Sequence, residues 1–234
     1  MADVLSGTGL STSSAYTVGL ITALSFYQGL TPPKSKIAQE ACDLELNILK
    51  EPIGKQDQYG TAIGGLKFIS FLQDGKVKIE QLSLDSTIQQ TLEDNLILFY
   101  TGMTHSANEI LKEQNKNIIN DKQKFDALLQ MVDLTYSARE ALIAGNLDDF
   151  GSILHSNWVL KRSLASKITN PLIDEYYDRA LANGALGGKL LGAGNGGFLL
   201  FYCPKEKQEG LRKAMGLVEL PFSFENEGVK IILA

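Results

Sequence analysis

Cysteine, histidine and tryptophan are scarce in this chain of 234 residues, at two, two and one. Cys42 and Cys203 are too few and too isolated for a disulfide framework or a zinc site. They read as buried free thiols in a reducing compartment. No apolar run approaches the roughly 20 residues that span a bilayer. No opening stretch pairs a basic segment with an apolar one, as a secretory leader does. Positive charge is not in excess either. The net charge is -5, which argues against a nucleic-acid partner held by bulk charge. These absences predict a soluble cytoplasmic protein with neither nucleic acid nor membrane as partner. What is present is ordinary for a chain that buries a core: 44% hydrophobic and 21% charged residues.

The pattern along the chain predicts α+β. Apolar residues Val18, Leu20, Ile21, Leu24 and Phe26 suggest a helix over 13–29, opened by the capping residues Ser11–Ser14. Pro32-Pro33 punctuate, and a second helix is expected over Ser35–Leu49. Gly64–Phe71 and Lys76–Leu82 read as strands around the turn Gln73-Asp74-Gly75. A polar stretch at Asp85–Asp94 suggests a domain boundary, which gives domains 1–93 and 94–234. Leu96–Tyr100 reads as a strand. Helices follow at about 104–116, 121–144 and 146–166, and at Pro171–Ala182. In the helix over 121–144, Leu128, Leu129, Val132, Leu142 and Ile143 have ordinary core spacing. Lys189–Leu191 and Phe198–Tyr202 read as strands, Lys205–Met215 as a helix and Val229–Leu233 as a last strand. The elements do not alternate regularly, so a doubly wound parallel sheet is not expected.

Two glycine-rich loops bracket the chain. The first is Gly7-Thr8-Gly9-Leu10-Ser11-Thr12-Ser13-Ser14. Gly7 and Gly9 allow a tight turn, and a helix N-terminus after them can bind phosphate. A plain capped helix after a glycine turn explains the same residues. The Gly-Lys-Ser/Thr signature of a P-loop is absent. The second loop is Gly192-Ala193-Gly194-Asn195-Gly196-Gly197. Gly192, Gly194 and Gly197 match the dinucleotide fingerprint, but a strand follows where that fingerprint needs a helix. Its glycine density exceeds the needs of a hairpin, so the loop packs closely on a ligand or on another backbone.

Between them lies Pro52-Ile53-Gly54-Lys55-Gln56-Asp57-Gln58-Tyr59-Gly60, read as a loop. Asp57 is a candidate general base, kept ionised by the nearby Lys55. A solvated surface loop is the plainer reading of this segment taken alone. Glu45 on the preceding helix would suit Mg²⁺ beside phosphates, although a solvated helix residue is commoner. Lys161 and Arg162 would suit the distal phosphate of a sugar-phosphate substrate, and a solvated helix end is again the plainer reading. His105 and His155 lie on different expected elements, and a structural role is the commoner one for such residues.

The two loops and the Asp57 segment together resemble the motifs of the GHMP kinases. That superfamily includes galactokinase, homoserine kinase, mevalonate kinase and phosphomevalonate kinase. The runs Pro52–Tyr59, Leu98–Gly102 and Gly187–Gly194 look most like its D-glycero-D-manno-heptose 7-phosphate kinases. The resemblance implies a two-lobed fold with a C-terminal α/β-sandwich lobe. It implies ATP and Mg²⁺ as cofactors and a small-molecule sugar phosphate as the other partner. Gly7–Ser14 would wrap the ATP phosphates, and Ser13 and Glu45 would hold the metal. Asp57 would be the base, with Lys55 beside it. Gly192–Gly197 would help position substrate. The reaction would move the γ-phosphoryl group to the anomeric hydroxyl of heptose 7-phosphate. A galactokinase-like activity is the alternative, as is an inactive remnant serving as a binding protein.

Two departures from that pattern stand out. Ser11 occupies a position where the family usually has glycine. The family's first motif and its strands have no counterpart before Gly7. The resemblance therefore predicts an incomplete N-terminal lobe and little or no kinase activity. It also predicts an exposed sheet edge through which the chain would aggregate, swap strands or form a homodimer.

Overall fold

The computed structural model describes residues 7–104 and 107–232. His105 lies outside the described residues. The chain forms two compact units. One contains Ser11–Ser83 and the segment from Phe224; the other contains Gly7–Leu10 and Leu84–Ser223. The sequence had suggested a division after residue 93.

In the first unit, α1 (Thr12–Tyr27) is followed by α2 (Lys34–Cys42). The chain then continues without a break into a π-helical stretch, Asp43–Ile48. The segment expected as a loop around Asp57 is a helix, α3 (Gln56–Ala62). Its seven residues lack a usable periodicity, and Gly54 and Gly60 disguised it as a turn. The hairpin of β1 (Lys67–Phe71) and β2 (Val77–Gln81) forms as expected, with Ile69 opposite Ile79. Val18, Ile37, Ala38, Ala41, Tyr59 and Ala62 make the core of this unit. Burying a side chain such as Ile37 contributes about 2 kcal/mol. α1 carries no charged residue, and its outward face is apolar too, with Leu20, Leu24 and Phe26 exposed. Such a helix gives the sequence no inward stripe to read.

The strand expected at Val229–Leu233 is not found. Gly228 makes an isolated bridge to Ile63, and Val229 N–H donates to the Ala62 carbonyl at 3.2 Å. The positive φ of Gly228 (71°) turns the chain and ends the pairing. Leu233 lies outside the described residues.

In the second unit, Asp85–Asp94 is no linker. Asp85 caps α4 (Ser86–Asn95) through the Thr87 N–H, which explains the polar run. Then come β3 (Leu96–Tyr100), α5 (Ala107–Asn120), α6 (Lys122–Ala144) and α7 (Leu147–Ser163). α8 (Pro171–Ala182), β4 (Gly187–Leu190) and β5 (Phe198–Tyr202) lead to α9 (Gln208–Met215) and β6 (Val218–Glu219). The sheet has the order β4-β5-β3-β6, and every pair in it is antiparallel. Ile97, Phe99, Leu199 and Phe201 of the sheet share one core with Trp158, Ile173 and Tyr177 of the helices. The α+β expectation is met. In α6, Leu142 is buried, but Leu129, Val132 and Ile143 are each about half exposed, at 48%, 47% and 48%. The helix has apolar residues on two sides, so spacing alone did not identify the inward one. No described helix is long and apolar enough to cross a membrane.

Candidate active site

Within the second unit the two glycine loops pack backbone against backbone. Gly7 and Gly9 take left-handed φ values of 76° and 81°. A Cβ on Gly9 would lie 2.6 Å from the Leu191 carbonyl oxygen. One on Gly192 would lie 2.6 Å from the Gly9 Cα, and one on Gly197 would lie 2.2 Å from the Thr8 oxygen. Gly194 faces Ile168 just as closely, at 2.6 Å from its oxygen. No side chain fits at these positions. The glycine content of Gly192–Gly197 is thus accounted for by another backbone, one of the two possibilities the sequence left open.

Hydrogen bonds fix the second loop further. Asn195, itself left-handed at φ 61°, donates its N–H to the Ile168 carbonyl at 2.8 Å. Its Oδ1 accepts from Asn170 Nδ2 at 2.9 Å, and Asn170 also caps α8. Thr101 donates both its N–H and its hydroxyl to the Gly197 carbonyl. Gly194, Gly196 and Gly197 are buried, Ala193 and Asn195 half-buried, and Gly192 exposed. Lys161 and Arg162 are not a solvated helix end. Lys161 Nζ donates to the Gly192 carbonyl at 2.6 Å, and Arg162 pairs with Asp174 at 3.1 Å. His155 Nδ1 lies 3.1 Å from Tyr177 Oη, which donates to the Gly188 carbonyl. Burial pushes the Tyr177 phenol up. That pair belongs to the core, the plainer of its two readings.

In the first unit, the start of α1 is built around one buried carboxylate. Ser11 has φ 56° and ψ 23°, and its side chain makes no capping bond. A capping hydroxyl needs extended backbone angles, so the expectation of a cap at Ser11 fails for that reason. Ser11 instead adopts the angles a glycine would take. Against the first turns of α1 lies Glu45, which is only 2% exposed. It accepts from Ser14 Oγ at 2.8 Å, Thr17 Oγ1 at 2.9 Å and Ser13 Oγ at 3.4 Å. Gln58 Nε2 is a further donor to it. A carboxylate offers about four acceptor positions, and four neutral donors meet them here. The π-helical stretch carries Glu45 and widens the turn, a feature frequent at functional sites. The reading of Glu45 as a solvated helix residue is therefore corrected.

Ser13 is exposed while Glu45 lies behind it. The Ser13 hydroxyl oxygen suits Mg²⁺ of the kind that takes one or two protein ligands and leaves the rest to phosphate and water. The Glu45 oxygens are taken up by four donors, so the expectation that Glu45 is itself a ligand is corrected to one in which it holds Ser13. Among the described residues no group of three or more His, Cys, Asp or Glu could cage a metal.

Asp57 stands half-buried in the first turn of α3. A carboxylate is favoured there by the helix dipole. Lys55, just before the helix, lines a cleft of about 650 Å³ with Cys42, Asp43 and Tyr59. Burial pushes the Cys42 thiol up to about 11, with Lys55 opposing. Thr17 and Gln58 were missed from sequence. Thr17 had a readable signal, since it stands one helical turn from Ser13 and Ser14 on the same face. Gln58 had none.

The family model described as GHMP kinases N terminal domain matches residues 2–65. The one described as GHMP kinases C terminal matches residues 138–217. A D-glycero-alpha-D-manno-heptose 7-phosphate kinase of Campylobacter jejuni is 33% identical over 98% of this chain and 68% of its own length. An L-fucokinase/L-fucose-1-P guanylyltransferase of Bacteroides fragilis is 29% identical over 91% of this chain, but over 22% of its own. The crystal structure of a D-glycero-D-manno-heptose 1-phosphate kinase from Bacteroides thetaiotaomicron superposes with a TM-score of 0.71 at 26% identity. It covers 99% of this chain and 66% of that one. The chain thus spans about two thirds of the length of the heptose phosphate kinases it matches.

Proposed function

This chain belongs to the GHMP kinases, and on that premise we propose that it transfers the γ-phosphoryl group of ATP to a sugar hydroxyl. The acceptor we favour is the anomeric hydroxyl of D-glycero-D-manno-heptose 7-phosphate, as a step toward nucleotide-activated heptose. The likeness to the C. jejuni heptose 7-phosphate kinase supports that choice of acceptor.

One observation carries the phosphotransferase reading. A glycine loop runs directly into a helix whose first turn has no side-chain cap and no acidic residue. Such a turn leaves N–H donors and a partial positive charge for phosphate. The exposed Ser13 hydroxyl stands in that turn with the buried Glu45 behind it. The backbone of Gly7–Ser14 would hold the ATP phosphates. Ser13, backed by Glu45, would hold Mg²⁺, which would neutralise phosphate charge. Asp57 would take the proton of the acceptor hydroxyl as its oxygen bonds to the γ-phosphorus and ADP departs. Gly192–Gly197 would act through the first loop, by fixing its backbone.

The test is ADP release with MgATP and heptose 7-phosphate, run beside galactose and fucose. Heptose 7-phosphate is expected to give one bisphosphate per ADP and the highest kcat/KM. Asp57→Asn should cut turnover by about 100-fold or more while ATP affinity holds. Near-normal turnover in that variant removes Asp57 from the mechanism. No ADP formation with any of the three sugars overturns the reading.

A further inference from the structure

We propose that the outward face of α6 is a dimerisation surface, on which the same face of a second copy of this chain packs antiparallel. The face is a row of apolar side chains at Phe125, Leu129, Val132, Tyr136 and Ile143. Each is about half exposed, from 46% to 53%. Their spacing alternates four and three residues, with Arg139 filling the one gap. A repeat of that kind keeps one narrow seam along a helix, the pattern with which one helix packs against another. The core of this unit does not explain the row. Ala127 and Ala141, which α6 buries, lie on its opposite side. An uncovered apolar seam about 27 Å long marks an interaction surface. This contact uses a helix face, not the sheet edge that the resemblance predicts.

The seam is complementary to itself in one register. Antiparallel pairing centred between Val132 and Tyr136 sets Val132 of one copy against Tyr136 of the other, a small side chain against a large one. It sets Phe125 against Ile143, and Leu129 against the stem of Arg139, whose charge is paired with Glu140. At the Phe125 end, Ile118, Ile119 and Phe125 line a hollow of about 510 Å³. Ile119 there is 81% exposed. At the other end stands Ile143, a half-exposed apolar knob. Two-fold symmetry brings each copy's knob to the other's hollow, so the contact is made twice. A parallel pairing would set the two hollows side by side and leave both knobs without one. The shape of the seam therefore selects a second copy, and selects its direction.

Sedimentation velocity of the full chain across micromolar concentrations should show a reversible monomer–dimer equilibrium. Leu129→Glu puts a charge into the seam of both copies. It should weaken the dimer by about 100-fold or more, with the circular dichroism of the chain unchanged. Leu24→Glu, on the exposed apolar face of α1, should leave the dimer intact. A second readout introduces no charge. Val132→Cys and Tyr136→Cys are mixed and oxidised, the native Cys42 and Cys203 being buried. The mixture should form a disulfide-linked dimer, and neither variant should do so alone. Antiparallel pairing brings position 132 beside 136 and keeps each too far from its own copy for a disulfide. The proposal is overturned by a chain that stays monomeric, by a dimer that survives Leu129→Glu, or by one that Leu24→Glu dissolves. A link formed by either cysteine variant alone, or none in the mixture, overturns it equally.

Discussion

The two glycine loops spend the same residue on different problems. In Gly192–Gly197 glycine is required by crowding, because a Cβ at Gly192, Gly194 or Gly197 would strike backbone within 2.7 Å. In Gly7–Ser14 the demand is for conformation as much as for room. Gly7 and Gly9 are left-handed, and so is Ser11, which bears a side chain in the same region of backbone space. Gly54 and Gly60 serve neither end: a Cβ on either would meet nothing within 4 Å. A glycine-rich motif therefore marks a ligand site only after its neighbours have been identified. Here the second loop is the support and the first is the surface that is supported.

The hardest blow to that distinction would be a tolerated Gly197→Ala. The new methyl group would sit 2.2 Å from the Thr8 oxygen, at φ 95°. Neither strain can relax by rotating a side chain, because the obstacle is backbone. The expected cost is about 4 kcal/mol, at the severe end for a single substitution. Urea denaturation of the variant beside the unsubstituted chain measures it. A loss under about 1 kcal/mol would mean that the loops are not packed as described.

A smaller effect separates packing from polar support. The turn of α1 that follows the first loop is tied to Glu45 rather than to crowded backbone. Glu45→Gln keeps the shape but offers an NH₂ group where two donors need an acceptor. Each donor left without a partner costs about 1–3 kcal/mol. The expected loss is about 2–3 kcal/mol on that basis, read from the same denaturation curves. A variant as stable as the parent would show that water replaces the carboxylate at no cost.

The ranking of these effects follows what the sequence could and could not reveal. The hairpin was legible because Asp74-Gly75 is a turn signal between alternating apolar residues, and Gly75 indeed has φ 84°. The helices of the second unit other than α4, which the polar run Asp85–Asp94 concealed, were legible through their periodicity, with Asn170-Pro171 marking where α8 starts. β6 pairs only Val218 and Glu219, too few residues for any pattern. α3 was hidden by glycine and by its brevity. The burial of Glu45 could not be read, because its partners come from α1 and α3 and the π-helical stretch breaks the period around it. Lys161 was noticed as a cation but placed in solvent, since nothing local announces a carbonyl contributed from residue 192. Local chemistry was legible, and long-range partners were not.

The smallest effect, at Ser11, probes the first loop by the same measure. Its left-handed backbone costs a residue with a Cβ about 1–2 kcal/mol. Glycine relieves that cost but gives the unfolded chain more freedom, which takes back about 0.4–1 kcal/mol. The side chain makes no capping bond that would be lost. Ser11→Gly should therefore stabilise the chain by about 0.5 kcal/mol, the difference of those two terms. In contrast with Gly197→Ala, it should leave ATP affinity unchanged or slightly better. Ser11→Trp, which keeps the angles strained and adds bulk to the loop, should abolish it. If Ser11→Gly instead destabilises by more than about 1 kcal/mol, the hydroxyl has a role beyond tolerating its angles. The first loop would then depend on its side chains as well as its backbone, and the contrast between the two loops would narrow.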